Sequence, residues 1–304
     1  MNATRRSRVL VNLFLFALAY PVIAGAQPEP GKHTIEVAQG VYSYGDPAAG
    51  YFSMFVVTEA GIVVVEPVNT THSEGLLKAI RAVSDKPIRY LLHSHNHWDH
   101  SGGGQVFRDE GATILAHVEA YEWMKANPHP DMALPDKSWA GPRKDIVLGG
   151  KTIELYYFGM NHGLGMTVFR LPEEKIVYIA DLVTPKRLLF TIVPDFNIKE
   201  TQRTLREIEQ LDFDTTLYSH GKPFGPKSEV TEIWEYTEDL RAAIHAEFEK
   251  GTPAFEIPNV VQLPKYEDWA MYEEWLPLNA WRLLLDDHMG PFPWRPIYAH
   301  EETR

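Results

Sequence analysis

The chain has no cysteine among its 304 residues. Disulfides, thiolate metal ligands and a thiol nucleophile are therefore excluded, and any bound metal must be held by histidine and carboxylate. Basic residues are in short supply: 29 Lys and Arg stand against 41 Asp and Glu, a net charge of −12, which argues against nucleic acid or an anionic membrane as partner. Internal repeats and low-complexity tracts are lacking too. The long apolar run from Val9 to about Ile23 is broken by Asn12 and Pro21 and is shorter than the roughly 20 residues a spanning helix needs.

That run has a different use. It follows Arg5, Arg6 and Arg8 and ends at "AGA", Ala24 to Ala26, the small-x-small form of a signal peptidase site. Residues 1–26 read as a secretory signal, and the pair Arg5-Arg6 hints at the twin-arginine kind. The expected location is periplasmic or secreted, with no stable membrane insertion after cleavage. Removal takes away three arginines and no acidic residue, so the exported chain is more acidic still. It is long enough for one large α/β domain with a helical appendage.

After a "QPEPGKH" leader, "GVYSYG", 51–58 and 61–67 read as successive strands. Leu76, Leu77, Ile80 and Val83 share one face of a helix over 72–84, and 87–95 returns as a strand. The β-α rhythm continues with a short helix after Gly104, a strand at 112–117, a helix at 118–126, strands near 146–149, 151–158, 166–171 and 175–181, a helix at 199–211 and a strand at 215–220. Beyond His220 the texture turns to long amphipathic helices near 228–250 and 268–290, whose apolar stripes read as core packing. Two Pro-containing stretches, 127–145 and 184–199, fit no element and read as functional or poorly ordered loops.

The stretch that carries chemistry is "LLHSHNHWDHSGGG", 91–104, with four histidines and an aspartate in eight residues at the end of a strand. Zinc takes about four N or O ligands at roughly 2.0–2.2 Å, and a tight loop at a strand tip can fold short side chains onto one point. Further donors stand at later strand ends: His162 in "GMNHGLGM", Asp181 in "IVYIADLVTP" and His220 in "LYSHGKP". Gly102 to Gly104 are expected to let the backbone pass close to the site.

With these residues the chain resembles the metallo-β-lactamase superfamily, whose hallmark is H-x-H-x-D-H followed by a His, an Asp and a His in that order. The match covers roughly 35–225. The resemblance implies an α/β fold, the αββα four-layer sandwich, with a catalytic domain at 27–225 and a C-terminal helical extension at 226–304 packed on the core. It implies two zinc ions per chain, with iron or manganese as possible replacements. His95, His97 and His162 would bind the first ion, Asp99, His100 and His220 the second, and Asp181 would bridge. Asp99 would also serve catalysis, as a general acid or an orienting group. His93, two residues upstream of His95, is expected to be a hydrogen-bond partner of a ligand or a packed histidine. His117, His245 and His300 are expected to be surface or satisfied core residues.

The reaction implied is hydrolysis of a small molecule by a zinc-bound hydroxide. True β-lactamases of this superfamily usually carry Cys or Ser where Asp181 stands, which points to an ester, lactone or related acyl bond, as in lactonases. The trio Asp99, His100 and His220 is also that of one lactamase subclass, so β-lactam hydrolysis is an alternative, as are a phosphodiesterase and a non-catalytic zinc-binding protein. "MNHGLG" departs from the common "GHTPG" around His162, so specificity does not carry over. Lys186 and Arg187 are either an anchor for a substrate carboxylate or a solvated surface pair. Trp269, Tyr272 and Trp275 are expected partly over the site or at a contact between copies of a homo-oligomer.

Overall fold

The structure, a computed structural model, describes residues 33–46 and 49–290; the signal expected at 1–26 and His300 lie outside them. Seven strands form a first sheet in chain order: β1 (Thr34–Ala38), β2 (Val41–Asp46), β3 (Tyr51–Thr58), β4 (Gly61–Val65), β5 (Ile88–Leu92), β6 (Thr113–His117) and β7 (Lys137–Trp139). β1 to β4 pair antiparallel and β4 to β7 parallel. The second sheet has six strands: β8 (Arg143–Leu148), β9 (Lys151–Tyr157), β10 (Thr167–Leu171), β11 (Ile176–Ile179), β12 (Thr215–Tyr218) and β13 (Phe224–Pro226), with β11 and β12 parallel. The two mixed sheets with their helices form the αββα sandwich.

Side-chain alternation sorts the apolar residues of the first sheet into two layers. Met54, Val56, Val63, Val65, Leu92 and Leu115 join Leu155, Val168 and Phe169 of the second sheet in one cluster. Their neighbours Phe55, Ile62, Val64, Leu91 and Ile114 face the other way, against Leu76 and Ile80 of α1 (Thr70–Val83) and Phe107 of α3 (Gly104–Asp109). The parallel strands are buried on both faces, and so read as unbroken apolar runs. Each fully buried aliphatic side chain contributes about 1.5–3 kcal/mol.

The parallel strands also set the site, because their carboxyl ends point the same way and the loops that leave them meet there. The expected strand at 87–95 is shorter in the structure. After Leu92 the chain crosses toward the second sheet, Ser94 O accepting from Thr167 N at 2.7 Å, so His93 and His95 belong to a loop and not to the strand. The stretch 127–145 contains β7 and the start of β8. The stretch 184–199 stays irregular up to α5 (Ile198–Glu209), whose N-cap Asn197 accepts from Glu200 N.

The tail contributes α6 (Ser228–Glu249), the short α7 (Ile257–Val260) and α8 (Tyr272–Met289). Val230, Ile233, Leu240, Leu276 and Leu283 join the cluster of the second sheet. α8 begins four residues later than the periodicity suggests, because Ala270 is engaged by the 184–199 loop: its N–H donates to Lys186 O at 2.8 Å and its carbonyl accepts from Leu188 N at 3.2 Å. Among the described residues no helix is long and apolar enough to cross a membrane.

Candidate metal centre

Four strand ends and one turn supply the site. Glu66 follows β4, His93 to His100 follow β5, Asp181 follows β11 and His220 follows β12, while His162 sits in the turn from β9 to β10. Glu66 and Asp181 both adopt left-handed backbone, with φ of 72° and 38°, a conformation that costs a non-glycine residue about 1–3 kcal/mol and persists where the surroundings impose it. Gly163, at φ 72°, lies against the site: a Cβ there would fall 2.8 Å from His95 Cδ2 and from Asn96 Oδ1. The glycines expected to do this, Gly102 to Gly104, lie elsewhere: Gly102 and Gly103 meet Val68 and Asn69 just before α1, and Gly104 meets Ala133, Leu91 and Ile114.

The predicted residues converge around Asp181. Donor atoms of His95, His97, His162 and Asp181 all lie within 4.8 Å of one another, and those of His100, Asp181 and His220 form a second such group. Asp181 Oδ2 is 3.1 Å from His162 Nε2, 3.2 Å from His100 Nε2 and 3.5 Å from His95 Nε2, and its Oδ1 is 2.9 Å from His220 Nε2. Asp99 stands at the edge, exposed over 57% of its side chain, with Oδ2 3.5 Å from His100 Nε2. Its other partner is the Tyr51 hydroxyl, which donates at 2.9 Å.

The electrostatics suit cations. Burial opposes the charged form of Asp181, but His100 and His220 outweigh it and hold the carboxyl well below its usual range. Burial and the neighbouring imidazoles hold His95 well below its ordinary value, so its ring is neutral, the form that ligates. Its Nε2 is buried with no hydrogen-bond partner although it faces the cluster. An orphaned neutral imidazole beside an ionised carboxylate shared by five-membered rings on both sides is what a metal site requires, and the residues fit the ions the fold implies. Burial, reinforced by Asp99, raises the Tyr51 hydroxyl, which stays protonated and so donates.

Beyond the predicted donors lies a set of partners that fix the rings. Asp195 holds His97 Nε2 at 3.0 and 3.1 Å through its two oxygens, leaving Nδ1 as the nitrogen His97 can offer. Glu66, fully buried, contacts His100 Nδ1, and Gly50 O is 2.8 Å from His220 Nδ1. Such partners select the tautomer and orient the ring. Sequence reasoning missed Asp195, Glu66 and Tyr51. Glu66 carried the same signal as Asp181, an acid directly after an apolar strand; Asp195 and Tyr51 carried none. His93 has the opposite fate: it is buried, neither ring nitrogen has a partner, and burial pushes it down to about 4. It is a packed histidine.

The family model of the metallo-beta-lactamase superfamily matches residues 48–220. The chain belongs to that superfamily. It is 30% identical over 205 residues to the 2,4-dinitroanisole O-demethylase subunit alpha of Nocardioides sp. (strain JS1661), an alignment that takes in 65% of this chain and 60% of that relative's length. In fold it is similar to the metallo-beta-lactamase from Pontibacter korlensis (21% identity, 66% of this chain, 98% of that one, TM-score 0.59) and to the stereoselective inverting sec-alkylsulfatase Pisa1 from Pseudomonas sp. (17% identity, 84% of this chain, 50% of that one, TM-score 0.67).

In this member of the superfamily the cluster opens onto a cavity of about 640 Å³ that His97, Asp99, His162 and Asp181 share with Trp98, Trp123 and Phe190. The 184–199 loop builds part of its wall. That loop is tied to α8, because Asn279 Nδ2 donates to Leu189 O at 2.9 Å and Arg282 Nη2 to Val193 O at 2.6 Å. The tail thus reaches the site through the loop. Trp269 and Tyr272 are buried in the core cluster and Trp275 packs beside it, so none of the three lines the cavity; Trp275 backs Phe190, ring centroids 5.3 Å apart. Neither candidate anchor lines it either: Lys186 pairs with Glu232 at 2.8 Å, and Arg187 donates to Thr184 Oγ1 at 2.9 Å and lies over the Trp275 ring.

Proposed function

We propose that the chain is an exported, metal-dependent hydrolase that cleaves an ester, lactone or related acyl bond of a small molecule. The observation that carries this reading is Asp181, one ionised carboxylate shared by two donor groups and lining the cavity beside His97, His162 and Asp99. His95, His97 and His162 would hold one ion, Asp99, His100 and His220 a second, with Asp181 between them. Two ions there supply Lewis acidity and a water acidic enough to attack near neutral pH. The chain's own residues do the rest. Asp195 and Glu66 keep His97 and His100 in register, His100 with help from the Tyr51 hydroxyl holds Asp99 ionised at the cavity edge, and Asp99 is placed to orient the attacking water and accept its proton beside the scissile bond.

A second reading concerns the bond. The relative from Nocardioides is named for removing a methyl group from an aryl ether, and an activated aryl ether would present the same need, attack by water beside an oxygen whose departure is assisted. Zinc as the resident ion and export from the cytoplasm are parts of the proposal. The test is metal analysis of protein purified from its native compartment, paired with a screen of ester, lactone, lactam, phosphodiester and activated aryl ether substrates. Ester, lactone or ether turnover that tracks bound metal supports the proposal; turnover confined to lactams or phosphodiesters, or none with metal bound, contradicts it.

A further inference from the structure

We infer that the cavity beside Asp181 seats an aromatic part of the substrate. The inference rests on the hydrolase reading for the bond that is cut, and on the cavity's own residues for what fills it. At about 640 Å³ the space lies within the roughly 300–1,000 Å³ of small-molecule sites. Three rings face it from different parts of the chain: Trp98 from the short helix α2 (Trp98–Ser101), Trp123 from α4 (Val118–Ala126) and Phe190 from the 184–199 loop. Trp98 and Phe190 are 45% and 39% exposed, an apolar surface that a monomer seldom leaves open without a use.

The rings are held before any ligand arrives. Trp98 stacks on His129, ring centroids 4.6 Å apart, and lies 6.2 Å from Trp123, while Trp275 backs Phe190. Preset rings lose little freedom on binding and favour offset or edge contacts with another ring. Polar recognition is thin by comparison. Asn96 accepts from Leu164 N at 2.6 Å and Asn127 donates to Trp123 O at 2.9 Å, so the oxygen of one amide and the nitrogen of the other are already engaged.

The test uses the metal-loaded enzyme and two acetate esters, benzyl and hexyl. We expect kcat/KM for benzyl acetate to exceed that for the hexyl ester severalfold. Independently of turnover, calorimetric binding of indole should weaken about fivefold or more in Phe190→Ala and in Trp123→Ala, and hold in Phe255→Ala, a remote exposed position. Preference for the hexyl ester, or indole binding untouched by both cavity variants, overturns the inference. Indole binding that depends on the cavity, with none of the esters hydrolysed, leaves the aromatic seat standing and counts against the hydrolase reading alone.

Discussion

The two halves of the site are built differently. In the half formed by His95, His97 and His162, the rings of His95 and His162 are buried, and His95 keeps Nε2, the nitrogen on the Asp181 side, without a hydrogen-bond partner, while His162 meets Asp181 through Nε2 and keeps Nδ1 unpaired. In the half formed by Asp99, His100 and His220, both nitrogens of each imidazole are engaged, His100 by Glu66 and Asp181 and His220 by Gly50 and Asp181, and Asp99 faces solvent. A donor left unpaired in a dry environment gains most from a cation; a donor already satisfied must give up a hydrogen bond, and for His100 also a proton, since Asp181 and Glu66 overcome burial to raise it well above its ordinary value. The difference teaches that one shared carboxylate can serve two cation positions of unequal strength.

Metal removal is the largest perturbation. Exhaustive chelation should abolish hydrolysis and re-added zinc should restore it, while graded chelation should empty the Asp99, His100, His220 half first, as two phases in metal retention against chelator. A single phase would erase the proposed inequality.

The next effects separate the halves. Asp195→Asn should loosen His97, and Glu66→Gln should loosen His100, each lowering metal affinity or turnover about 10–100-fold. Stoichiometry after dialysis then shows which half each variant damages, and identical losses from both would remove the distinction. A smaller change is expected from Arg282→Ala, which removes one of the two ties between the cavity loop and α8: KM should rise severalfold with little change in kcat, checked by steady-state kinetics on an aryl ester.

The smallest effect concerns stability away from the metal. Burial pushes His117 down to about 4, so the unfolded chain, titrating near 6.5, binds the proton first as pH falls. Stability is lost from about pH 6.5 down to about 4, at up to about 1.4 kcal/mol per pH unit from this residue. Denaturant midpoints of His117→Gln should show a shallower slope across that window, and an unchanged slope would exclude the assignment.

Legibility followed locality. The strand-helix order and the donors around Asp181 could be read because a donor at a strand's carboxyl end follows an apolar run in the sequence itself. The partners could not. Asp195 lies 98 residues from His97 in a loop with no periodicity, and Tyr51 is the opening residue of an ordinary-looking strand. The late start of α8 escaped for the same reason, since Ala270 is claimed by a loop more than eighty residues upstream. The tail stripes were legible as core packing, but that Trp269, Tyr272 and Trp275 stand away from the cavity was not, and the rings that do line it, Trp98, Trp123 and Phe190, gave no pattern at all.

The central claim is that Asp181 is shared, and metal content per chain measured with turnover in wild type, Asp181→Ala and His93→Ala tests it most directly. The account predicts two metals in wild type and in His93→Ala, and at most one in Asp181→Ala with turnover reduced about a thousandfold. Two tightly held metals and near-normal turnover in Asp181→Ala would contradict it.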